Sequence, residues 1–448
     1  MPQVATVALA LLACGGRSER EFTLNGESGS PSHVGGTSSN AGGTSSNAGG
    51  TSSHAGGTSS NAGGASSIVG GGASSGTAGV AGAAATACAE IAFSDAAVER
   101  SVRGQLAVPD GPIPPERAAV LESLTVVNAS SFGGIECLSS LRTLYANLGW
   151  AFEAEPIGAL TRLQTLSLES HSFYTLDPLA NLQELVSLDL RESLGLAGLK
   201  PIGEITSLRD LDISQNGAVD LHSLASLTGI VSLNMNGTSS GDYGQGSELL
   251  GLGALAGMTE LSTLLAENSE LEDLSPLAGL SALDHLDLSA NHISDLSPLA
   301  GASALLVLDL GLNRVESAAP LAGLRALTSL DLSSNPLSDL TPLRDLTELG
   351  ALMLYETDVS DLSPLAALTK LGYVSLGRTR VTDLSPLLAL VGPRDDCPRL
   401  YLEDAPLDAN SLEFVIPELC AAGWIVHWTG AEGVIEECWL DACIPPRP

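Results

Sequence analysis

Residues 280–301, LSALDHLDLSANHISDLSPLAG, contain the pattern that decides the fold of this chain. Leucine stands at the first, fourth, seventh and ninth positions, asparagine at the twelfth, and Pro-Leu at the nineteenth and twentieth. The same frame begins eleven times, almost always 22 residues apart, at Leu138, Leu160, Leu182, Ile205, Leu227, Met258, Leu280, Ala302, Leu324, Leu346 and Leu368. A sustained period of this kind predicts a solenoid in which each repeat packs on its neighbours.

Each part of the repeat has a physical role. Leu286 and Leu288 are separated by one residue, which predicts a short strand whose leucines point inward. Asn291 can bond backbone groups that become exposed where the chain turns away from the strand. Pro298 suits the first turn of a short helix and prevents that arc from forming a second strand. The repeats therefore predict one parallel sheet above a core of aliphatic side chains.

The composition limits the classes of partner. The chain has 448 residues and a net charge of −33, so its surface repels phosphate backbones and nucleic acid is excluded as a partner. This acidity is compatible with a cationic ligand, with Ca²⁺, or simply with solubility. Aromatic residues make up only 4% of the sequence, which makes every aromatic side chain outside the leucine frame a candidate for function.

The N-terminal residues indicate export. The apolar run in MPQVATVALALLACGG is too short to span a bilayer and is typical of a signal peptide, residues 1–14. Leu11-Leu12-Ala13-Cys14 is similar to a bacterial lipobox, in which the cysteine, here Cys14, becomes lipidated. A plain secretory signal with an incidental cysteine is the alternative. Residues 15–87 are rich in Gly, Ser and Thr and predict a flexible tether. We expect a bacterial outer-membrane or cell-surface lipoprotein, or an otherwise secreted protein.

The remaining six cysteines lie on either side of the repeats. Their even number fits disulfides formed in an oxidising compartment, and the candidates are Cys88, Cys137, Cys397, Cys420, Cys438 and Cys443. The spacing leaves the pairing open. Sequential pairing, Cys88–Cys137, Cys397–Cys420 and Cys438–Cys443, is the simplest hypothesis. A zinc site is the alternative, but no C-x-x-C pair accompanies these cysteines, and we expect neither a metal nor a cofactor.

The segments that flank the repeats predict caps, which cover the apolar ends of an array. Residues 88–137 form the predicted N-terminal cap, in which the stretch from Ile91 to Leu106 has helical spacing and Ser94 or Asp95 can cap the helix. The eleven repeats occupy residues 138–389. Residues 390–430 contain a terminal repeat and a C-terminal cap, and residues 431–448 form a cysteine-containing tail.

The frame with its LSPLAGL arcs resembles the internalin type of bacterial leucine-rich repeat over roughly residues 88–430. The stretch IAFSDAAVERSVR from Ile91 is similar to the helical N-terminal cap of such proteins, and residues 402–428 are similar to their closing cap. The resemblance implies an α/β-type solenoid, a right-handed superhelix with one parallel sheet, short helical or 3-10 convex turns, and a cap at each end. It also implies that partners bind on the concave face of the sheet.

Two groups of residues on that face are candidates for partner binding. The acidic strip consists of Asp189, Asp212, Asp287, Asp309 and Asp331. The aromatic patch consists of Met353, Tyr355, Tyr373 and Tyr401, with Arg378 at its edge. Exposed aromatic side chains commonly dominate binding energy. Both groups also have a structural interpretation, since Leu-Asp-Leu-Ser is common in such repeats and the tyrosines can shield the cap.

A second column of aspartates precedes the proline turns, at Asp220, Asp273, Asp295, Asp339, Asp361 and Asp383. Capping of the following turn explains these residues, and Ca²⁺ binding is the alternative. No nucleophile, phosphate-loop or metalloprotease motif occurs, so we expect no enzymatic activity.

The sequence therefore predicts an exported, lipid-anchored, monomeric module that binds a protein or glycan and contacts the membrane only through its anchor. A structural or adhesive spacer of the cell envelope without a specific ligand is the alternative.

Overall fold

The computed structural model describes residues 88, 91–148, 154–169, 175–193, 198–217, 219–238, 251–392, 397–429 and 435–438. The predicted signal peptide and tether, with Cys14, lie outside the described residues, and so does Cys443. None of the described helices is both long and apolar enough to cross a membrane.

One sheet of fifteen strands runs through the described residues, with its strands in chain order. Every neighbouring pair is parallel except the last, in which β15 is antiparallel to β14. Strands β2 to β12 fall one by one in the eleven predicted repeats. The strands are β1 Ser123–Ala129, β2 Thr143–Leu148, β3 Thr165–Glu169, β4 Ser187–Asp189, β5 Asp210–Asp212, β6 Ser232–Asn234, β7 Thr263–Leu265, β8 His285–Asp287, β9 Val307–Asp309, β10 Ser329–Asp331, β11 Ala351–Met353, β12 Tyr373–Ser375, β13 Arg399–Leu402, β14 Ile425–Thr429 and β15 Ile435–Cys438.

Short helical turns connect the strands, and most of them carry a proline in their first turn, where its missing N–H is not needed. The 3-10 turns are Ile135–Cys137, Asp177–Asn181, Leu221–Leu224, Leu252–Gly257, Ser275–Leu277, Ser297–Gly301, Ala319–Gly323, Thr341–Leu343, Ser363–Ala367 and Ser385–Leu390. The α-helices are α1 Ala96–Leu106, α2 Pro115–Ala118, α3 Glu155–Gly158, α4 Lys200–Gly203 and α5 Ile416–Ala421, and a π-helical turn, Ser411–Val415, precedes α5. The predicted solenoid with one essentially parallel sheet and 3-10 turns is confirmed.

Aliphatic side chains stack in register beneath the sheet. Leu286, Leu308 and Leu330 lie opposite one another on adjacent strands and are at most 1% exposed. The other leucine positions of the frame are buried in the same way. A single repeat has no complete core of its own, because each of its leucines packs on the equivalent leucines of the neighbouring repeats.

Buried asparagines join successive repeats. The amide nitrogen of Asn313 donates to the carbonyl oxygens of Leu288 (2.8 Å) and Leu310 (3.1 Å), which belong to two adjacent repeats. Its amide oxygen accepts the backbone N–H of Ile293 at 2.9 Å. Asn291 and Asn335 make corresponding bonds. The predicted bonding of turn backbone by this asparagine is confirmed, and it extends across the boundary between repeats.

The residue at the eleventh position of the repeat adopts a left-handed backbone in successive repeats. Its φ lies between 51° and 63° at Glu192, Gln215, Gly237, Asn268, Ala290, Leu312, Ser334, Glu356, Arg378 and Asp404. This conformation costs a residue other than glycine about 1–2 kcal/mol. It reverses the chain direction after the strand, so that the polar side chain at the twelfth position points into the core. Most of the residues at this position are neither glycine nor asparagine, so the sequence pattern does not reveal the strain.

The N-terminal cap follows the prediction. Asp95 caps α1 by accepting the backbone N–H groups of Ala97 (2.6 Å) and Val98 (3.3 Å). The same carboxylate accepts the backbone N–H of Ser130 at 2.8 Å, which links the start of α1 to the end of β1. Cys88 and Cys137 form a disulfide, with their Cα atoms 5.5 Å apart, as sequential pairing predicts.

The C-terminal cap corrects the predicted disulfide pairing. Cys420 of α5 is bonded to Cys438 of β15, with Cα atoms 6.0 Å apart, so the pairings Cys397–Cys420 and Cys438–Cys443 are wrong. The physical reason is β15, which folds back antiparallel on β14 and brings Cys438 over the helix. Cys397 is also disulfide-bonded. Strand β15 lies in the segment that sequence analysis assigns to a tail.

Candidate functional site

The acidic strip and the aromatic patch share the solvent-facing side of the sheet. Strand register places Asp287, Asp309 and Asp331 directly opposite one another, followed in the same column by Met353. Ser375, Tyr401 and His427 continue this column on β12, β13 and β14. Asp189 and Asp212 occupy the same column on β4 and β5.

The first two carboxylates of the strip have local partners, an arginine for Asp189 and neutral hydrogen-bond donors for Asp212. Asp189 forms an ion pair with Arg191, whose Nε lies 3.0 Å from Oδ2. Asp212 accepts the hydroxyl of Ser214 at 2.6 Å and the side-chain amide of Asn234 at 2.9 Å. Burial raises the pKa of Asp212, and the bonds from Ser214 act in the opposite direction. These two residues have local partners that account for them.

The other three carboxylates, Asp287, Asp309 and Asp331, form what we term the carboxylate triad. Each accepts a backbone N–H two residues along its own chain, from Ser289 (3.0 Å), Gly311 (2.9 Å) and Ser333 (2.7 Å) respectively. Among the described residues, no lysine or arginine forms an ion pair with the triad. Among the described residues of the strip only Asp189 has a cationic partner, and the triad differs from Asp212 in placing three carboxylates on three consecutive strands.

Burial and mutual repulsion raise the pKa values of two members of the triad. Burial, followed by the charges of Asp331 and Asp287, raises the pKa of Asp309 to about 7. Burial, together with the charge of Asp287, also raises the pKa of Asp331 and that of the neighbouring Glu267. Ionising Asp309 and Asp331 therefore costs stability in the isolated protein.

We expect the protein to be more stable at about pH 5 than at about pH 8. Asp309 has a folded-state pKa of about 7, above its ordinary value of 3.8, so stability is lost as the pH rises between these values. Asp309→Asn still accepts the Gly311 N–H but carries no charge, so at about pH 8 it should raise the free energy of unfolding by about 1–3 kcal/mol. Urea unfolding of wild type and variant at both pH values checks this.

The control for this experiment is Asp295→Asn. Bonds from Ser297 lower the pKa of Asp295, so this substitution should bring no gain at about pH 8. Equal stability of the wild type at the two pH values would contradict the prediction.

The aromatic rings at the end of the sheet stack on one another. The centroids of Tyr373 and Tyr401 are 5.3 Å apart, and Tyr401 stacks on His427 at 4.8 Å with an interplanar angle of 3°. Burial, with the neighbouring Tyr401, raises the pKa of Tyr373 to about 12, so its hydroxyl stays protonated at neutral pH. His427 completes this stack, and the repeat pattern does not predict its position because it lies in the closing cap.

Tyr355 and Arg378 form the edge of the aromatic patch. The Arg378 guanidinium lies 5.6 Å from the centre of the Tyr355 ring, and its Nε lies 3.3 Å from a carboxylate oxygen of Asp404. Gly377 allows this packing, since a Cβ there would come within 2.9 Å of the Tyr355 ring. The structure thus brings the predicted patch together, and its member Met353 lies next to the triad, opposite Asp331.

The second aspartate column caps the turns. Asp273, Asp295, Asp361 and Asp383 each accept the N–H of the serine two residues later at 2.8 Å, and hydrogen bonds lower their pKa values where the shift is resolved. In the described part of the chain, no group of His, Cys, Asp and Glu side chains is arranged to hold a metal ion. Capping explains this column without Ca²⁺.

These features define the class of protein. The family model described as leucine rich repeat matches residues 281–337. The array is a leucine-rich repeat solenoid of the internalin type. An internalin (inlF) of Listeria monocytogenes is similar, with 26% identity and a TM-score of 0.59 over 66% of this chain and 93% of that one.

Two further solved structures are similar in fold. The functional domain of InlJ from Listeria monocytogenes, said to include a cysteine ladder, has 21% identity and a TM-score of 0.55 over 70% of this chain and 65% of that one. A TDR receptor has 21% identity and a TM-score of 0.50, covering 60% of this chain and 49% of that one. The repeats of this chain, residues 138–389, contain no cysteine. Comparison with curated proteins gives no match.

Proposed function

We propose that this protein is an exported, lipid-anchored recognition module that binds a protein or glycan partner through the solvent face of its sheet. The observation that carries the proposal is the aromatic patch. The patch contains three of the chain's six tyrosines, with Tyr373 and Tyr401 on adjacent strands and Tyr355 two residues after β11, together with Met353 and His427. Half-buried rings held in place by their neighbours lose little entropy on binding, which favours them as contact residues.

Export and anchoring are supported by the N-terminal sequence and by the disulfides. Disulfides form and persist in oxidising compartments, and Cys88–Cys137 and Cys420–Cys438 are consistent with this. The apolar run before Cys14 and the Gly/Ser/Thr-rich residues 15–87 fit an anchor and a tether. Labelling of cells with radioactive palmitate checks the anchor. Label that persists in the Cys14→Ala protein would contradict lipidation at this cysteine.

Removing two rings of the patch should abolish recognition. We expect Tyr355→Ala with Tyr373→Ala to weaken binding by about tenfold or more, because buried aromatic contacts contribute most of the affinity of an interface. The full chain is used as bait for envelope proteins and for a glycan array, and the retained ligand is then titrated against both proteins. Circular dichroism melting verifies that the double variant is folded.

Tyr145→Ala is the matched control. Tyr145 lies on the same face, is 44% exposed and belongs to the opposite end of the sheet, so its loss should leave binding unchanged. A ligand that binds the double variant and the wild type equally would exclude the patch. Failure of the wild type to retain any protein or glycan would favour a structural spacer.

A further inference from the structure

We propose that the sheet face from β8 to β13 binds an extended cationic segment of a partner polypeptide. Lysine or arginine side chains of this segment lie over the carboxylate triad, and an apolar side chain contacts the aromatic patch. This inference rests on the proposed function and specifies the chemistry of the partner.

Charge complementarity is the first argument. Asp189 of this column is neutralised by Arg191, which stands at the tenth position of its repeat. The same position, two residues after the triad aspartates, holds Ser289, Gly311 and Ser333, which carry no charge. Glu267, on the preceding repeat, adds a fourth negative charge close to the triad. A cation provided by a partner would relieve this repulsion on binding, whereas an anionic partner would increase it.

The other charged groups of this surface do not neutralise the triad. The imidazole Nδ1 of His285 lies 2.8 Å from a carboxylate oxygen of Asp284. Arg378 is paired with Asp404 and lies over Tyr355, and Arg399 lies at the start of β13 directly opposite Tyr373, three strands beyond the triad. The negative potential is therefore concentrated over β8, β9 and β10, and it should steer cationic segments to that position.

Ring geometry favours a polypeptide over a glycan. A pyranose ring packs on the flat face of an aromatic side chain, and such a face must be accessible. In this stack Tyr401 and His427 each cover one face of the other at 4.8 Å, Tyr373 lies 5.3 Å from Tyr401, and the Arg378 guanidinium lies 5.6 Å from the centre of the Tyr355 ring. Contacts within the protein therefore occupy part of the ring faces. The phenol rings can still contact apolar side chains and donate to the carbonyl oxygens of an extended peptide backbone.

Strand spacing sets the spacing of the groups in the partner. Adjacent strands lie about 4.8 Å apart, so the distance from β9 to β12 or β13 is roughly 14–19 Å. An extended peptide that crosses the strands covers about 3.3 Å per residue, so its apolar residue should follow or precede the cationic residues by about 4–6 positions. A partner that lacks either group would contact only one part of this surface.

Fluorescence anisotropy with a synthetic peptide tests the proposal. The probe is a labelled peptide of about twelve residues with three lysines and a Leu-Phe pair about five residues away, prepared in both orders and also with glutamine in place of each lysine. We expect at least one lysine peptide to bind the full chain, with affinity that decreases as salt increases. The glutamine peptides should bind at least about tenfold more weakly.

A charge-matched pair of variants localises the binding. Asp287→Asn, Asp309→Asn and Asp331→Asn in one chain should weaken the lysine peptide by about tenfold or more. Asp273→Asn, Asp295→Asn and Asp339→Asn remove the same charge from the capping column and should change binding by less than about twofold. Because the first variant loses only repulsive charges, we expect it to fold at least as stably as the wild type.

The following outcomes would contradict the inference. No binding of either lysine peptide, or equal weakening by the two triple variants, would show that the triad is not a cation-binding surface. If a partner captured in the Tyr355 and Tyr373 experiment binds the triad variant as tightly as the wild type, the proposed function stands and the cationic partner is wrong. A captured glycan that binds through the tyrosines would have the same consequence.

Discussion

Replacing Asn313 by alanine is expected to lower the free energy of unfolding by about 2–4 kcal/mol. The change removes the donor to the Leu288 and Leu310 carbonyls and the acceptor of the Ile293 N–H, and all these groups lie in the interior. Buried backbone groups that lose their partners pay their full desolvation cost, which exceeds the net gain from forming the same bonds. Because these bonds cross a repeat boundary, stacking as well as the local turn should weaken.

Asn313→Thr separates the contribution of the bond within the repeat from that of the bond between repeats. Thr357 and Thr379 occupy the same position in later repeats, and their hydroxyls donate to the carbonyls of Leu354 (2.8 Å) and Leu376 (2.7 Å) within their own repeat. A threonine at 313 should keep the bond to Leu310 and lose the bond to Leu288, so its loss of stability should be about half that of alanine. Urea unfolding of the three proteins measures this. Equal losses for threonine and alanine would mean that the bond within the repeat contributes nothing.

The leucine frame predicts the fold because the local structure at each of its positions has a local cause that recurs in every repeat. Strand positions, 3-10 turns and the Asp95 cap were all predictable, since each depends on residues close in sequence or on the period itself. The left-handed residue before each asparagine was not predictable. Its conformation is imposed by stacking, and residues as unsuited to it as Leu312 adopt it.

The sequence predicts which residues belong to the site, but it does not predict their ion pairs and ring contacts. Register follows from the period, so the repeat alone assigns the column from Asp287 to Tyr401. The division of the acidic strip depends on whether a side chain such as Arg191 reaches a neighbouring carboxylate, which is a matter of side-chain geometry. In the same way, the stacking of Tyr401 on His427 depends on rotamers and on the path of the closing cap.

The disulfide error has a topological cause. Sequential pairing assumes that the chain continues away from the array after β14, whereas β15 returns along it. An antiparallel partner also ends the parallel sheet, with Glu437 exposed on its last strand. A charged side chain on an edge strand hinders pairing with another chain.

Truncation of Leu308 to alanine should cost about 2–5 kcal/mol and should act locally. Leu308 is 1% exposed and packs between Leu286 and Leu330 of the adjacent strands, so the cavity left by its side chain would lie at two repeat interfaces. In a solenoid each repeat depends on its nearest neighbours, and a weakened interface opens before the rest of the array. We expect faster amide hydrogen exchange in β8, β9 and β10 than in the wild type, with protection retained in β2 and β13.

Leu312→Ala is the matched control for this experiment. Leu312 lies four residues further along the same repeat and is 61% exposed, and its left-handed backbone suits alanine no better than leucine. Its truncation should therefore change stability by less than about 0.5 kcal/mol. Uniform loss of protection in all strands of the Leu308→Ala protein would mean that the array unfolds as one cooperative unit. In that case Asn313→Ala should also release every repeat together, because both substitutions weaken the same interface between β9 and its neighbours.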